Sequence, residues 1–231
     1  MKFMKSAAVV AALSAVSLTA MARDVEEQSR DVSAFTEVSL KGSMDAEITV
    51  GKERSVRVIA DDHIIDRVIT EVRGDTLYLE MEKGSYRNIR KLEVIITVPS
   101  LEAAGIYGSG DMKIENAKAD DFELDLKGSG DALISDAEFG QFTIDLAGSG
   151  DIDVDGTCSD LKLDLRGSGD VSARRMECES ASVDLRGSGD ITVFASKDAG
   201  VTVRGSGDVD IYGKPGKVNS NVRGSGDVNL R

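Results

Sequence analysis

A four-residue string, Gly-Ser-Gly-Asp, returns through this chain at a nearly fixed spacing and limits what it can fold into. It begins at Gly108, Gly128, Gly148, Gly167, Gly187, Gly205 and Gly224, in steps of 20, 20, 19, 20, 18 and 19 residues. A degenerate copy, Gly42-Ser43-Met44-Asp45, lies upstream. A repeat of this length marks a unit that cannot bury its apolar face alone and must stack on its neighbours.

The residues between the corners alternate. Ile152-Asp153-Val154, Ile191-Thr192-Val193 and Val209-Asp210-Ile211 follow corners, and Phe122-Glu123-Leu124-Asp125-Leu126 and Leu161-Lys162-Leu163-Asp164-Leu165 precede them. Apolar residues at every second place specify short strands with one buried face. The predicted fold is therefore all-β: a parallel β-solenoid, like a single-stranded β-helix, with coils of about twenty residues. Successive coils lie ~4.8 Å apart, so eight corners give a rod of about 40 Å. By analogy with crossover connections the wind is right-handed.

The chain divides accordingly. Residues 1–22 read as a signal peptide, 23–33 as an N-terminal linker and 34–231 as one solenoid domain. Within that domain, 108–231 carries the repeats and 34–107 is less regular, forming early coils and hairpins that cap the sheet edge. Ala46 to Val50 and Ser55 to Ala60 flank Gly51-Lys52-Glu53-Arg54 as a first hairpin, and Ile69 to Val72 and Thr76 to Met81 flank Arg73-Gly74-Asp75 as a second. Asp61 to Arg67 reads as one helical turn with Asp61 or Asp62 as N-cap, and Lys91 to Val98 as a strand stopped by Pro99.

The leader has Lys2 and Lys5, an apolar run from Ala7 to Ala20, and Ala20-Met21-Ala22 as a small-x-small site, which places cleavage between Ala22 and Arg23. Its apolar run is too short for a bilayer, which needs about 20 residues. The expected product is exported, without a transmembrane anchor. Removing the two leader lysines takes the formal net charge from −13 to −15. That balance excludes nucleic acid, whose phosphates demand a basic footprint. It leaves cations, polar glycans or a basic envelope protein as partners. Aromatic residues are only 4% of the chain, without tryptophan, which argues against a sugar-stacking cleft.

Each corner ends in a carboxylate. Asp111, Asp131, Asp151, Asp170, Asp190, Asp208 and Asp227 form a column in which neighbours ~4.8 Å apart repel by about 1 kcal/mol in water. Either backbone N–H donors, as in an Asx-type turn, or a column of bound calcium must offset this. The structural corner is the preferred reading and calcium the alternative. No other cofactor is implied. Before the corner, Asp125, Asp145, Asp164 and Asp184 make one outward column. Lys127, Arg166, Arg186, Arg204 and Arg223 make a second on the same face. These are either a mutually neutralised face or a flat periodic recognition surface for a polymer.

Cys158 and Cys178 each stand nine residues before a corner, hence one above the other in consecutive coils and within disulfide range. Catalytic signatures are missing. His63 is the single histidine, the repeated serine is not in a nucleophile elbow, and no glycine corner leads into a helix.

The Gly-Ser-Gly-Asp repeat, the Ile95-Ile96-Thr97-Val98-Pro99-Ser100-Leu101 strand and the late Tyr212-Gly213-Lys214-Pro215 together resemble the putative auto-transporter adhesin family, or head GIN domain, from about Phe35 to Asp227. The resemblance implies a β-solenoid of the bacterial envelope or surface with no established catalytic residues. The sequence stops at Arg231, four residues after Asp227, and the expectation is a module without its own membrane-barrel translocator. The reading is a non-enzymatic binding or adhesion-type protein of a Gram-negative envelope: periplasmic, associated with the outer membrane, or extracellular. The alternatives are a structural protein that self-assembles end to end as a homo-oligomer through its last coil, and a carbohydrate-active enzyme.

Overall fold

The computed structural model describes residues 24–231. The leader and the cleavage point between Ala22 and Arg23 lie outside the described residues. All strands join one 17-stranded sheet wound into stacked parallel coils of about twenty residues, a β-solenoid.

The register stacks equivalent residues directly. Leu126 lies opposite Leu146 and Leu146 opposite Leu165. Just past the corner, Ala132, Ile152, Val171, Ile191 and Val209 form a second buried column. These columns share one continuous apolar core. β10 (Lys118–Gly128), β11 (Ala132–Gly148), β12 (Ile152–Gly167), β13 (Val171–Gly187) and β14 (Ile191–Gly205) follow one another in the stack. At the edge opposite the corners the core is closed by Phe122, Phe139 and Phe142, with the first two rings stacked at 4.5 Å.

The corner glycines answer to two constraints. Gly148 has φ +147°, which L side chains rarely adopt. A Cβ there would also run into the carbonyl oxygen of Gly128 in the coil before. The second glycine, as at Gly150, meets only the crowding, against the carbonyl of Gly130. The degenerate corner now has a reason. No earlier corner stacks beneath Gly42-Ser43-Met44-Asp45, so Met44 fits there and is fully buried at the end of the core.

The N-terminal part departs from expectation in three places. β3 (Asp45–Val50) and β4 (Ser55–Asp61) do not form a hairpin with each other. β7 (Leu92–Val98) lies between them, parallel to β3 and antiparallel to β4, and inserts Leu92, Val94, Ile96 and Val98 into the core. A distant strand with four buried apolar side chains outcompetes the local turn. Residues 25–30, expected within a linker, are strand β1 (Val25–Arg30), antiparallel to β4 and covering its open edge. The short helical turn is a 3₁₀ segment, Ile65–Arg67, with no side-chain N-cap. Asp61, buried, instead bonds the Arg90 N–H with Oδ2 at 2.6 Å and receives Arg90 Nε on Oδ1 at 3.3 Å. The backbone N–H of Arg90 holds its carboxyl below the usual range despite burial. The second hairpin is as read: β5 (Val68–Arg73) pairs antiparallel with β6 (Thr76–Met81).

Candidate binding surfaces

The corner carboxylates are held by the coils themselves. Asp131 donates its backbone N–H to Asp111 Oδ1 at 2.9 Å, Asp151 to Asp131 at 2.8 Å and Asp170 to Asp151 at 2.9 Å, and the pattern runs on to Asp227. The ladder starts one coil earlier, where Asp111 donates to Asp45. The donor therefore belongs to the next coil, not to the residue's own turn as an Asx-type corner would have it. Each carboxylate supplies the acceptor that an ordinary parallel rung takes from a carbonyl. The return bond is backbone to backbone, as from Ala132 N–H to the Asp151 carbonyl at 2.9 Å. Charge-assisted bonds of this kind offset the repulsion along the column.

Beside this ladder runs an elongated groove of about 780 Å³. Asp45, Asp111, Asp131, Asp151, Asp170 and Asp190 form one wall. Glu47, Lys113, Leu133, Asp153, Ser172 and Thr192 line the other side. Lys113 is the one cation among these lining residues, and it is paired with Glu115 at 2.6 Å. The groove is acidic over six stacked coils.

The face before the corners is built differently. β2 (Glu37–Gly42), β8 (Ala103–Gly108), β10 to β14 and β16 (Lys217–Gly224) carry it. Here the acidic and basic columns pair: Lys127 with Asp125 at 3.1 Å, Arg166 with Asp164 at 3.0 Å, and Arg186 with Asp184 at 2.6 Å. Arg204 reaches back to Asp184 at 3.0 Å. Register sets Ala147 opposite Lys127 and Arg166, so the basic column is interrupted beside Asp145. Glu123, Asp125 and Asp145 consequently bring carboxylate oxygens within 4.8 Å of one another. Among the described residues this is the one acidic cluster so close, and the corner column is not part of it.

At the N-terminal end of the same face, Tyr107 donates its hydroxyl to Asp125 Oδ2 at 3.0 Å. Burial, that bond and the nearby charges of Asp125 and Glu123 push its phenol up to about 12. Sequence reasoning missed this residue, since nothing local marks a lone tyrosine whose neighbours come from other coils.

Cys158 and Cys178 face each other across β12 and β13, Cα atoms 4.4 Å apart with the sulfurs joined, both buried. His63 sits in the turn after β4, its Nδ1 3.5 Å from Asp62.

The sequence pattern of the family described as "Putative auto-transporter adhesin, head GIN domain" matches residues 34–215. The chain belongs to that family. Solved structures share its fold. A putative adhesin from Bacteroides fragilis superposes with a TM-score of 0.87 at 24% identity, covering 90% of this chain and 98% of that one. A putative lipid binding protein from Parabacteroides distasonis gives 0.74 at 23% identity over 90% and 97%. A putative adhesin from Parabacteroides merdae gives 0.69 at 15% over 90% and 96%. None of the curated proteins matches the chain. The family is one of adhesion-type proteins, and no helix among the described residues is long and apolar enough to cross a membrane.

Proposed function

We propose that this chain is an exported, non-enzymatic binding module of the envelope of a Gram-negative bacterium, in the periplasm, on the outer membrane or released. Its working part is a periodic charged surface that engages an elongated polar partner, a glycan or an envelope protein. The observation that carries this reading is the acidic groove along six stacked coils, with one wall held rigid by backbone bonds. A rigid row of carboxylates at the coil spacing presents the same chemistry repeatedly, which suits a partner with its own repeat. Catalysis is not favoured, because the single histidine, His63, lies in the turn after β4 beside Asp62 and the serine of each Gly-Ser-Gly-Asp corner is flanked by glycines.

Glycan-array binding and pull-down from envelope extracts with the exported chain test this. Capture of a specific polar partner, weakened by adding salt, supports the reading. Turnover of a polysaccharide, lost on replacing one acid pair, would replace it with an enzyme.

A second reading, end-to-end association, is favoured by the last coil. Val222 and Leu230 are exposed there, over a core that ends in Val203, Val209 and Ile211. Sedimentation velocity across a concentration series decides it: a monomer throughout counts against assembly.

A further inference from the structure

The loop between β6 and β7, residues 82–91, runs against the charge of the rest of the chain. Lys83, Arg87, Arg90 and Lys91 fall within nine residues that contain no acid, in a chain of formal net charge −13. Among the described residues Lys83 and Arg87 make no ion pair. Both are exposed, and so is Ile89, which stands between the two arginines.

The loop is held in shape from inside. The buried Asp61 carboxylate accepts the backbone N–H groups of Arg90 and Lys91. At the other end Tyr86 donates its hydroxyl to the Glu82 carbonyl at 2.8 Å and packs against the core. Its ring lies over Gly84, where a Cβ would stand 2.9 Å from the ring. A loop fixed in this way gives up little conformational freedom on binding.

The acidic groove beside the corners complements this loop in two respects. Its carboxylates oppose the loop's cations, and among them Leu133 is 38% exposed, as Ile89 is 37% exposed in the loop. An apolar side chain set among cations thus has a counterpart set among anions. Within one molecule the loop stands at the first coil of the groove. Lys91 bonds Glu93 at 2.6 Å, and this bond, with the charges of Asp45 and Glu47, holds its ammonium above the usual range. None of residues 82–91 lines the groove, so a chain does not fill its own.

We propose that the loop docks in the acidic groove of a second copy of this chain. Lys83 and Arg87 meet corner carboxylates, and Ile89 meets Leu133. Loop and groove are different surfaces, so the contact is heterologous: each copy both gives and receives. A polyanion fits the loop less well, because its base already stands over Glu93, Asp45 and Glu47, whose charges repel one. This rests on the reading of the acidic groove as the working surface and makes its partner another copy of the chain.

Sedimentation velocity of the exported chain over a concentration series tests the contact. Association is expected at low salt and is lost in about 1 M sodium chloride, where charges are screened beyond about 3 Å. The loop variant, Arg87→Ala with Ile89→Ser, weakens association about tenfold, and so does the groove variant Leu133→Arg. Mixed in equal amounts, the two variants form pairs and nothing larger, since each keeps one working surface. Leu230→Glu, in the last coil, leaves association unchanged. Thermal melting checks each variant, and Ser172→Arg stands in if Leu133→Arg fails to fold. A wild-type chain that stays monomeric at low salt overturns the proposal, as does either variant assembling like the wild type. Association lost in Leu230→Glu and kept in the other two overturns it in favour of the last coil. A monomer whose capture from envelope extracts is lost in Leu133→Arg overturns it and leaves the binding-module reading standing.

Discussion

At the corner, side-chain chemistry and backbone geometry are hard to separate. The first glycine of each repeat provides both a positive φ and the absence of a Cβ where the preceding coil's carbonyl passes. Gly42 has φ +96° but nothing near its missing Cβ, because no corner stacks beneath it. The two positions should respond differently to alanine. Gly42→Ala bears only the conformational cost, about 1 kcal/mol. Gly148→Ala adds a backbone collision on top of strain of about 1–3 kcal/mol. In a chain of this size each kcal/mol shifts Tm by about 2–4 °C, so melting curves separate the two. A drop in Gly148→Ala no larger than in Gly42→Ala would contradict the stacked-carbonyl account.

Tyr107 gives the pH prediction at the same scale. Its phenol is partly desolvated, bonded to Asp125 and close to the charge of Glu123, so the neutral form is favoured and ionisation is delayed to about pH 12. Ultraviolet titration should show one tyrosine ionising well above the ordinary value of about 10. Asp125→Asn removes the negative partner and should bring that step back down. An unchanged titration curve would mean that the ring does not lie against Asp125.

Among the elements, neighbouring strands β12 and β13 present Cys158 and Cys178 as register partners. The bridge spans a sequence separation of 20, for which loop-closure entropy gives a stabilisation of about 3 kcal/mol. A thiol count on denatured, unreduced exported protein should find no free thiol, and reduction should lower Tm. Two free thiols would refute the bridge. The charged columns on the preceding strands are worth less. Half-exposed pairs such as Lys127–Asp125 contribute about 0–1 kcal/mol each, so the solenoid does not depend on them for stability. Their regularity matters more for what the surface presents.

The two ends of the whole molecule differ. Met44, Ile64, Ile65 and Val68 are buried at the N-terminal end, where β1 and β5 add antiparallel edges. At the other end β16 and β17 (Val228–Leu230) cover the core thinly, and Leu230 is 62% exposed. In a stack of nearest-neighbour units the least covered end opens first. Hydrogen exchange should therefore be fastest in β16 and β17 and slowest in β11 to β13. Uniform exchange along the stack would show that the coils unfold as one unit.

The spacing of Gly-Ser-Gly-Asp and the alternation around it were enough to specify parallel coils, the stacked leucines, both charge columns and the placing of the two cysteines. Each of these follows from a strict period, because residues one period apart must lie in register. What lay outside the period could not be read in this way. β7 separates β3 from β4, β1 forms a strand in a stretch read as linker, and the Asp61 carboxyl is taken by the Arg90 backbone, all through partners tens of residues away. The placing of Tyr107 belongs to the same class. A lone tyrosine carries no sequence signal, and only the stacking of β10 on β8 sets its hydroxyl against Asp125. Local pattern determines how a repeated unit stacks, whereas the free energy of covering the end of the stack is settled by whichever distant segment buries the most.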